Sequence, residues 1–223
     1  LQTIAAGCPF RGDPVESQII TVGLTGQTGA GKSAVSSLLQ KEGFAVIDCD
    51  KVSRSVTEKG SPALSALTDA FSAKILMPDG TLNRHALGRL VFSNPDALAL
   101  LNRTIFPFII AHVEKLRLAF ADAGETLVIL DAPTLFESGA DALCNYIVGV
   151  CASTSCRMKR IMARDGLTEA EARARIESQH SDAFFRTHCH TVIDNDGSRE
   201  MLILAVRALA DRILEVKNGC PHS

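Results

Sequence analysis

Gly26-Gln27-Thr28-Gly29-Ala30-Gly31-Lys32-Ser33 is the stretch from which the rest of the chain is read. The apolar run Ile19-Ile20-Thr21-Val22-Gly23-Leu24 precedes it and predicts a buried strand. Ala34-Val35-Ser36-Ser37-Leu38-Leu39 follows and predicts the first turns of a helix. Strand, glycine-rich loop, Lys-Ser and helix is the order of a phosphate-binding P-loop. Glycines let successive backbone N–H groups converge on a polyphosphate with no Cβ in the way. The helix that follows aims its unpaired N–H groups and the positive end of its dipole at the same point. Gly29, Ala30, Gly31, Lys32, Ser33 and Ala34 are the expected nucleotide contacts. Lys32 would reach the β- and γ-phosphates, and the Ser33 hydroxyl would ligate Mg²⁺.

At 223 residues, 46% apolar and 22% charged, the chain suits one α/β domain with an insertion or lid and a sizeable core. A net charge of −2 gives no sign of a nucleic-acid-binding surface, and no apolar run looks long enough to span a bilayer. The expectation is a cytoplasmic protein without nucleic-acid or membrane partners, a monomer or weak homo-oligomer. Residues 1–18 read as a flexible leader, not a signal peptide, because no basic segment precedes a continuous apolar core. The seven cysteines (Cys8, Cys49, Cys144, Cys151, Cys156, Cys189, Cys220) are odd in number and form no Cys-x-x-Cys pair. They read as reduced thiols.

Phe44-Ala45-Val46-Ile47 predicts a second strand that ends at Asp48-Cys49-Asp50. Ligands of open α/β sheets sit at the carboxyl ends of strands, so two acids there are a candidate substrate end. The plainer alternative is an N-cap and a first-turn charge for the segment Lys51 to Val56. From Lys59 to about Ala123 the pattern is helical. One helix runs from Pro62 to Phe71, Asp79-Gly80 makes a turn, and Asn83 caps a short helix through Val91-Phe92. Asn94-Pro95 then opens a long amphipathic stretch interrupted at Pro107. Roughly sixty helical residues between two strands exceed an ordinary crossover and read as an inserted subdomain. Thr126–Asp131 predicts the third strand, whose terminal Asp131 is a candidate Mg²⁺ partner through water. Tyr146–Val150 and Thr191–Asp194 predict two more strands, and a closing helix runs from Ser198 to about Val216. Before the fifth strand, Arg157, Arg160 and Arg164 are spaced to share one helix face. A second helix, Thr168 to Gln179, follows Gly166. This basic hairpin reads as a lid that excludes water, the alternative being a solvated helix balanced by Glu169, Glu171 and Glu177. His188-Cys189-His190 is too compact to converge on one tetrahedral metal and reads as a turn or strand edge.

Taken in order, these pieces resemble the bacterial dephospho-CoA kinases from about Thr21 to Ala210. The resemblance rests on Gly23–Gly26 through Lys32-Ser33, Val46–Val52, Asp79–Arg84, Val91–Pro95, Leu101-Asn102, Pro133–Glu137, Arg160 with Arg164-Asp165, and Val192–Asn195. It implies an α/β P-loop kinase fold: a five-stranded parallel sheet flanked by helices, with an inserted helical acceptor (CoA) subdomain and a helical lid. It implies ATP- and Mg²⁺-dependent phosphorylation of the ribose 3′-hydroxyl of dephospho-CoA, the last step of coenzyme A synthesis. By that resemblance Asp50 is the general base or hydroxyl-orienting residue, and Lys32, Arg160 and Arg164 stabilise the transferring phosphoryl group. Asp48, Arg84, Pro133, Phe136 and Glu137 are then the expected acceptor contacts. The expected division is a leader (1–18), a nucleotide-binding core (19–58, 124–152, 188–217), an acceptor-binding insertion (59–123), a lid (153–187) and a tail (218–223). The chain departs from the family at Phe106, where a histidine is usual before the proline, at Ala34 after Lys-Ser, and over Phe185–His190. Another small-molecule P-loop kinase, shikimate- or nucleotide-kinase-like, and a non-catalytic nucleotide-binding module are the competing readings.

Overall fold

In a computed structural model, residues 19–91 and 94–219 are described. The leader, Cys8, the Phe92-Ser93 helix end and Cys220 with the residues after it lie outside the described residues. Five parallel strands form one sheet: β1 (Ile20–Gly26), β2 (Ala45–Asp48), β3 (Leu127–Asp131), β4 (Tyr146–Cys151) and β5 (Thr191–Asp194), in the order β2-β3-β1-β4-β5. The central strands read as near-continuous apolar runs because both faces are covered. Side chains alternate along them. Val22, Leu24, Ile129, Val148 and Val150 enter one core with α1 (Lys32–Lys41) and α9 (Arg199–Gly219). Val128, Leu130 and Ile147 enter the opposite core with α2 (Cys49–Val56) and α5 (Pro95–Asp122). In the register, Leu24 lies beside Asp131 and Asp48 beside the same residue, so P-loop and acidic pair leave the sheet at one level.

Between β2 and β3 stand α2, α3 (Pro62–Phe71), a 3₁₀ turn (Ala73–Ile75), α4 (Arg84–Val91) and α5. Their starts follow from local chemistry. The side chains of Ser61, Asn83 and Asn94 each accept from backbone N–H groups of the first turn that follows. Leu67, Ile75, Leu87, Val91 and Ile105 make a third core that belongs to this insertion. Two expectations are corrected here. The helix is not interrupted at Pro107: α5 runs through it for 28 residues, losing only the N–H that proline lacks. And α5 is, by length and composition, apolar enough to cross a membrane. Its Leu101, Ile105, Ile109 and Val113 instead pack into the second and third cores.

Between β4 and β5 the chain makes α6 (Thr154–Asp165), α7 (Glu169–Glu177) and α8 (Asp182–His188). α7 opens with a capping box between Thr168 and Glu171. α8 was not anticipated. Ser181 caps it by accepting from Phe184 N, and it ends in the His-Cys-His segment. There the His190 Nδ1 accepts from Ile147 N at 3.0 Å and the ring stacks on Tyr146. Among the described residues no cluster of metal-ligating side chains forms. α9 reaches Gly219, so the expected tail begins inside a helix.

Candidate active site

The glycine loop leaves β1 at Gly26, where a Cβ would come within 2.5 Å of the Val150 carbonyl oxygen. Gly29 and Gly31 take φ of 76° and 98°, conformations in which other residues are strained. Gln27 N donates to Val150 O at 3.1 Å, and Ala30 N closes the turn onto Gln27 O at 3.1 Å. α1 begins at Lys32, with Gly31 as its N-cap and no side-chain cap. Ala34 N–H turns onto Gly31 O at 3.0 Å, so an anion would be met by the N–H groups ahead of it, those of Lys32 and Ser33.

Lys32 Nζ pairs with the Asp131 carboxylate at the end of β3, and both side chains are nearly buried. On the neighbouring strand, Asp48 caps α2 by accepting from Lys51 N at 3.0 Å. That is the plainer role weighed above, and it holds Asp48 at the helix start. Asp50, in the first turn of α2, lines a cavity of about 230 Å³. Cys49 lies between the two acids. Burial, followed by the Asp131, Asp50 and Asp48 carboxylates, pushes its thiol up to about 12 against the opposing charge of Lys32. Cys49 was not singled out from sequence, yet the P-loop lysine, the β3 carboxylate and both acids after β2 are all its charged neighbours.

The cavity extends from Asp50 and Pro133 into the insertion, among Leu87, Leu101, Ile105 and Phe106. Arg84 is at its wall, donating from Nη2 to Thr57 Oγ1 at 2.7 Å. Burial and then the nearby Arg54 charge hold the Arg84 guanidinium below its usual range. Asn102, read only as part of a pattern, is also a lining residue. Phe136 and Glu137 are placed elsewhere. Phe136 packs edge-on against Phe184 and Phe185 of α8, and Glu137 faces His180 Nε2 at 3.4 Å. Phe136 thus belongs to an aromatic cluster with α8, and Glu137 to a contact with the residue just before that helix's cap, neither foreseen in the sequence.

The three arginines of α6 do not act as one face. Arg157 is buried and its Nε donates to Thr28 O at 2.9 Å. Arg160 reaches Gly29 O and Ala30 O, both at 3.3 Å, and Asn195 O at 2.9 Å. Arg164 is exposed and forks onto Asp165 at 2.7 and 2.8 Å, where Arg175 also binds. A shared helical spacing places side chains at similar angles but not at equal depth. The loop also recruits Gln179, whose Oε1 accepts from Thr28 N at 2.8 Å from 151 residues away. No local signal marks such a residue.

A metal fits this arrangement in one way. The exposed Ser33 hydroxyl and the Asp131 carboxylate are hard oxygen donors, too few for a protein cage. Such a set suits Mg²⁺ carried largely by phosphate oxygens and water.

Known proteins bear on these features. The family model described as dephospho-CoA kinase matches residues 20–200. A dephospho-CoA kinase of Streptomyces avermitilis is 40% identical over 184 residues, 82% of this chain and 89% of that one. One of Corynebacterium efficiens is 40% identical over 197 residues, 88% of this chain and 96% of that one. The crystal structure of TT1252 from Thermus thermophilus superposes with a TM-score of 0.74 at 32% identity, covering 88% of this chain and 98% of that one.

Proposed function

We propose the following division of labour for this chain, which belongs to the dephospho-CoA kinase family. It is a phosphotransferase that uses ATP to phosphorylate the ribose 3′-hydroxyl of dephospho-CoA, giving CoA and ADP, the final step of coenzyme A synthesis. One observation carries the assignment of roles. Asp50 lines the cavity together with Ala132 and Pro133, the residues that follow Asp131, and Asp131 pairs with Lys32 of the phosphate loop, so acceptor and donor sites meet there.

The loop 26–33 binds the ATP phosphates through backbone N–H groups, and the Lys32 ammonium exchanges Asp131 for phosphate oxygens. The insertion 59–123 holds the acceptor, with Pro133 and Arg84 at the cavity wall. Asp50 takes the proton of the 3′-hydroxyl. That oxygen forms a bond to the γ-phosphorus as the bond from γ-phosphorus to the β–γ bridging oxygen breaks, and ADP leaves. Asp48 serves by fixing the start of α2, on which Asp50 rides. The charge that develops on the transferring group is met by Lys32 and by arginines of the 153–187 hairpin, which covers the loop and excludes water. Mg²⁺, held by Ser33 and through water by Asp131, would supply neutralisation of phosphate charge. The enzyme works in the cytoplasm on soluble substrates, as a monomer or weak oligomer.

The test is ADP release from ATP and Mg²⁺ with and without dephospho-CoA, with the product identified by mass. Acceptor-dependent ADP and one added phosphate on dephospho-CoA are expected. ATP binding without any stimulation by dephospho-CoA would sink the assignment.

A further inference from the structure

Three consecutive carbonyls of the phosphate loop are held by side chains from distant elements. Arg157 Nε takes Thr28 O at 2.9 Å. Arg160 Nη1 takes Gly29 O and Ala30 O at 3.3 Å each. Asn195 Nδ2 takes Ala30 O at 2.7 Å, the shortest of the four contacts and one that spans 165 residues. In a planar trans peptide the carbonyl and the N–H that follows it point in opposite directions. Pinning a carbonyl on one side therefore aims the next N–H at the other. Ala30 N–H is already used within the loop, on Gln27 O. The bonds to Thr28 O and Ala30 O thus orient Gly29 N–H and Gly31 N–H.

Asn195 is itself firmly anchored. It is 6% exposed, its own N–H donates to Cys151 O at 2.8 Å, and its carbonyl accepts Arg160 Nη2 at 2.9 Å. A Cβ on Gly31 would lie 2.3 Å from Asn195 Nδ2. The glycine is therefore required by this side chain as well as by its own φ.

We propose that Asn195 is a positioning residue for phosphate binding, acting through the Ala30 carbonyl to aim Gly31 N–H into the cradle, with Arg160 tied into the same brace. This rests on the reading of residues 26–33 as a triphosphate site. It gives the loop after β5 a part in binding the donor without any contact to it.

The test uses the full chain with two neutral variants, Asn195→Ala and Asn195→Leu, the second keeping the side-chain volume while removing the donor. Calorimetry would measure binding of inorganic tripolyphosphate, of ATP and of dephospho-CoA. Amide exchange would be followed in the nucleotide-free protein. Affinity for tripolyphosphate and for ATP should fall together, by about tenfold. Affinity for dephospho-CoA should stay within about twofold, and exchange should quicken at Gly29–Lys32 while the sheet keeps its protection. A loss confined to ATP would make Asn195 a contact to the base and overturn the proposal. So would unchanged tripolyphosphate binding with unchanged loop exchange. If the wild-type chain binds no tripolyphosphate, the phosphate-site reading fails, and loop exchange alone still decides whether Asn195 braces the loop.

Discussion

The phosphate loop and the acceptor cavity lie next to each other and are built on different principles. The loop is eight consecutive residues, and what it offers a ligand is backbone. The cavity draws on α2, α3, α4, α5 and the segment after β3, and what it offers is side chains. The first kind of site is written in one place because φ, ψ and the absence of Cβ are local properties. The second is assembled by packing and exists only after the insertion has formed its own core. The comparison teaches that a contiguous site can be read as a motif, whereas a dispersed one is read only as a set of lining residues.

The largest test of the contrast is Lys32→Ala. Turnover should fall by at least about a thousandfold. Steady-state ADP formation within a few-fold of wild type would break the assignment of the loop. Next is Asp50→Asn, expected to lower kcat by about 10²–10⁴ with ATP affinity kept, as measured by single-turnover kinetics beside nucleotide binding. Asp48→Asn should cost little, because asparagine caps a helix as well as aspartate does. The reverse order would move the base to Asp48. Phe106→Ala probes the cavity by itself. The KM for dephospho-CoA should rise about tenfold, on the order of one lost aromatic contact, with the KM for ATP unchanged. A shift in the KM for ATP alone would mean that the two sites are not separable. Arg164→Ala should slow transfer about tenfold and leave the acceptor KM within twofold, since an exposed fork onto Asp165 adds little to stability. An unchanged kcat reduces Arg164 to a surface partner of Asp165.

The smallest effect concerns thiols. Burial is the main cause that pushes Cys49, Cys144, Cys151 and Cys189 up to about 12. Unfolded thiols titrate near about 8.5. A raised thiol pKa leaves the fold undisturbed below the unfolded value, and stability is lost as pH rises above it towards the folded one. Alkylation of these four at pH 8 should therefore be slow in the native chain and fast in urea. Rapid native labelling of Cys49 would show that the junction between the two sites is open to water.

What was legible follows the same divide. The five strands were read in the right order along the chain, their apolar runs being dictated by burial on both faces, and the loop was read residue by residue. Asn83 and Asn94 announced their helices because capping is a local bond. α8 was missed because seven residues carry too little periodicity, and its aromatic side chains acquire meaning only against Phe136. Phe136 and Glu137 were assigned to the acceptor for the same reason. Pro107 was read as a break because a lost N–H is visible in sequence, while the packing that carries the helix across it is not. Gln179 and Asn195 act on the loop from 151 and 165 residues away, beyond any window of sequence.

The strand order has a consequence for how the chain is made. Among the described residues β1 pairs with β3 and β4, and β2 with β3. β1 and β2 are made before β3 and therefore find no partner among the described strands until Leu127–Asp131 has followed. At about 5–20 residues per second, the roughly 100 residues between β1 and β3 correspond to about 5–20 s of synthesis. Over that interval a nascent phosphate loop has neither sheet nor brace. The insertion, with a core of its own, is equipped to condense before the sheet, and the nucleotide site would be completed after it.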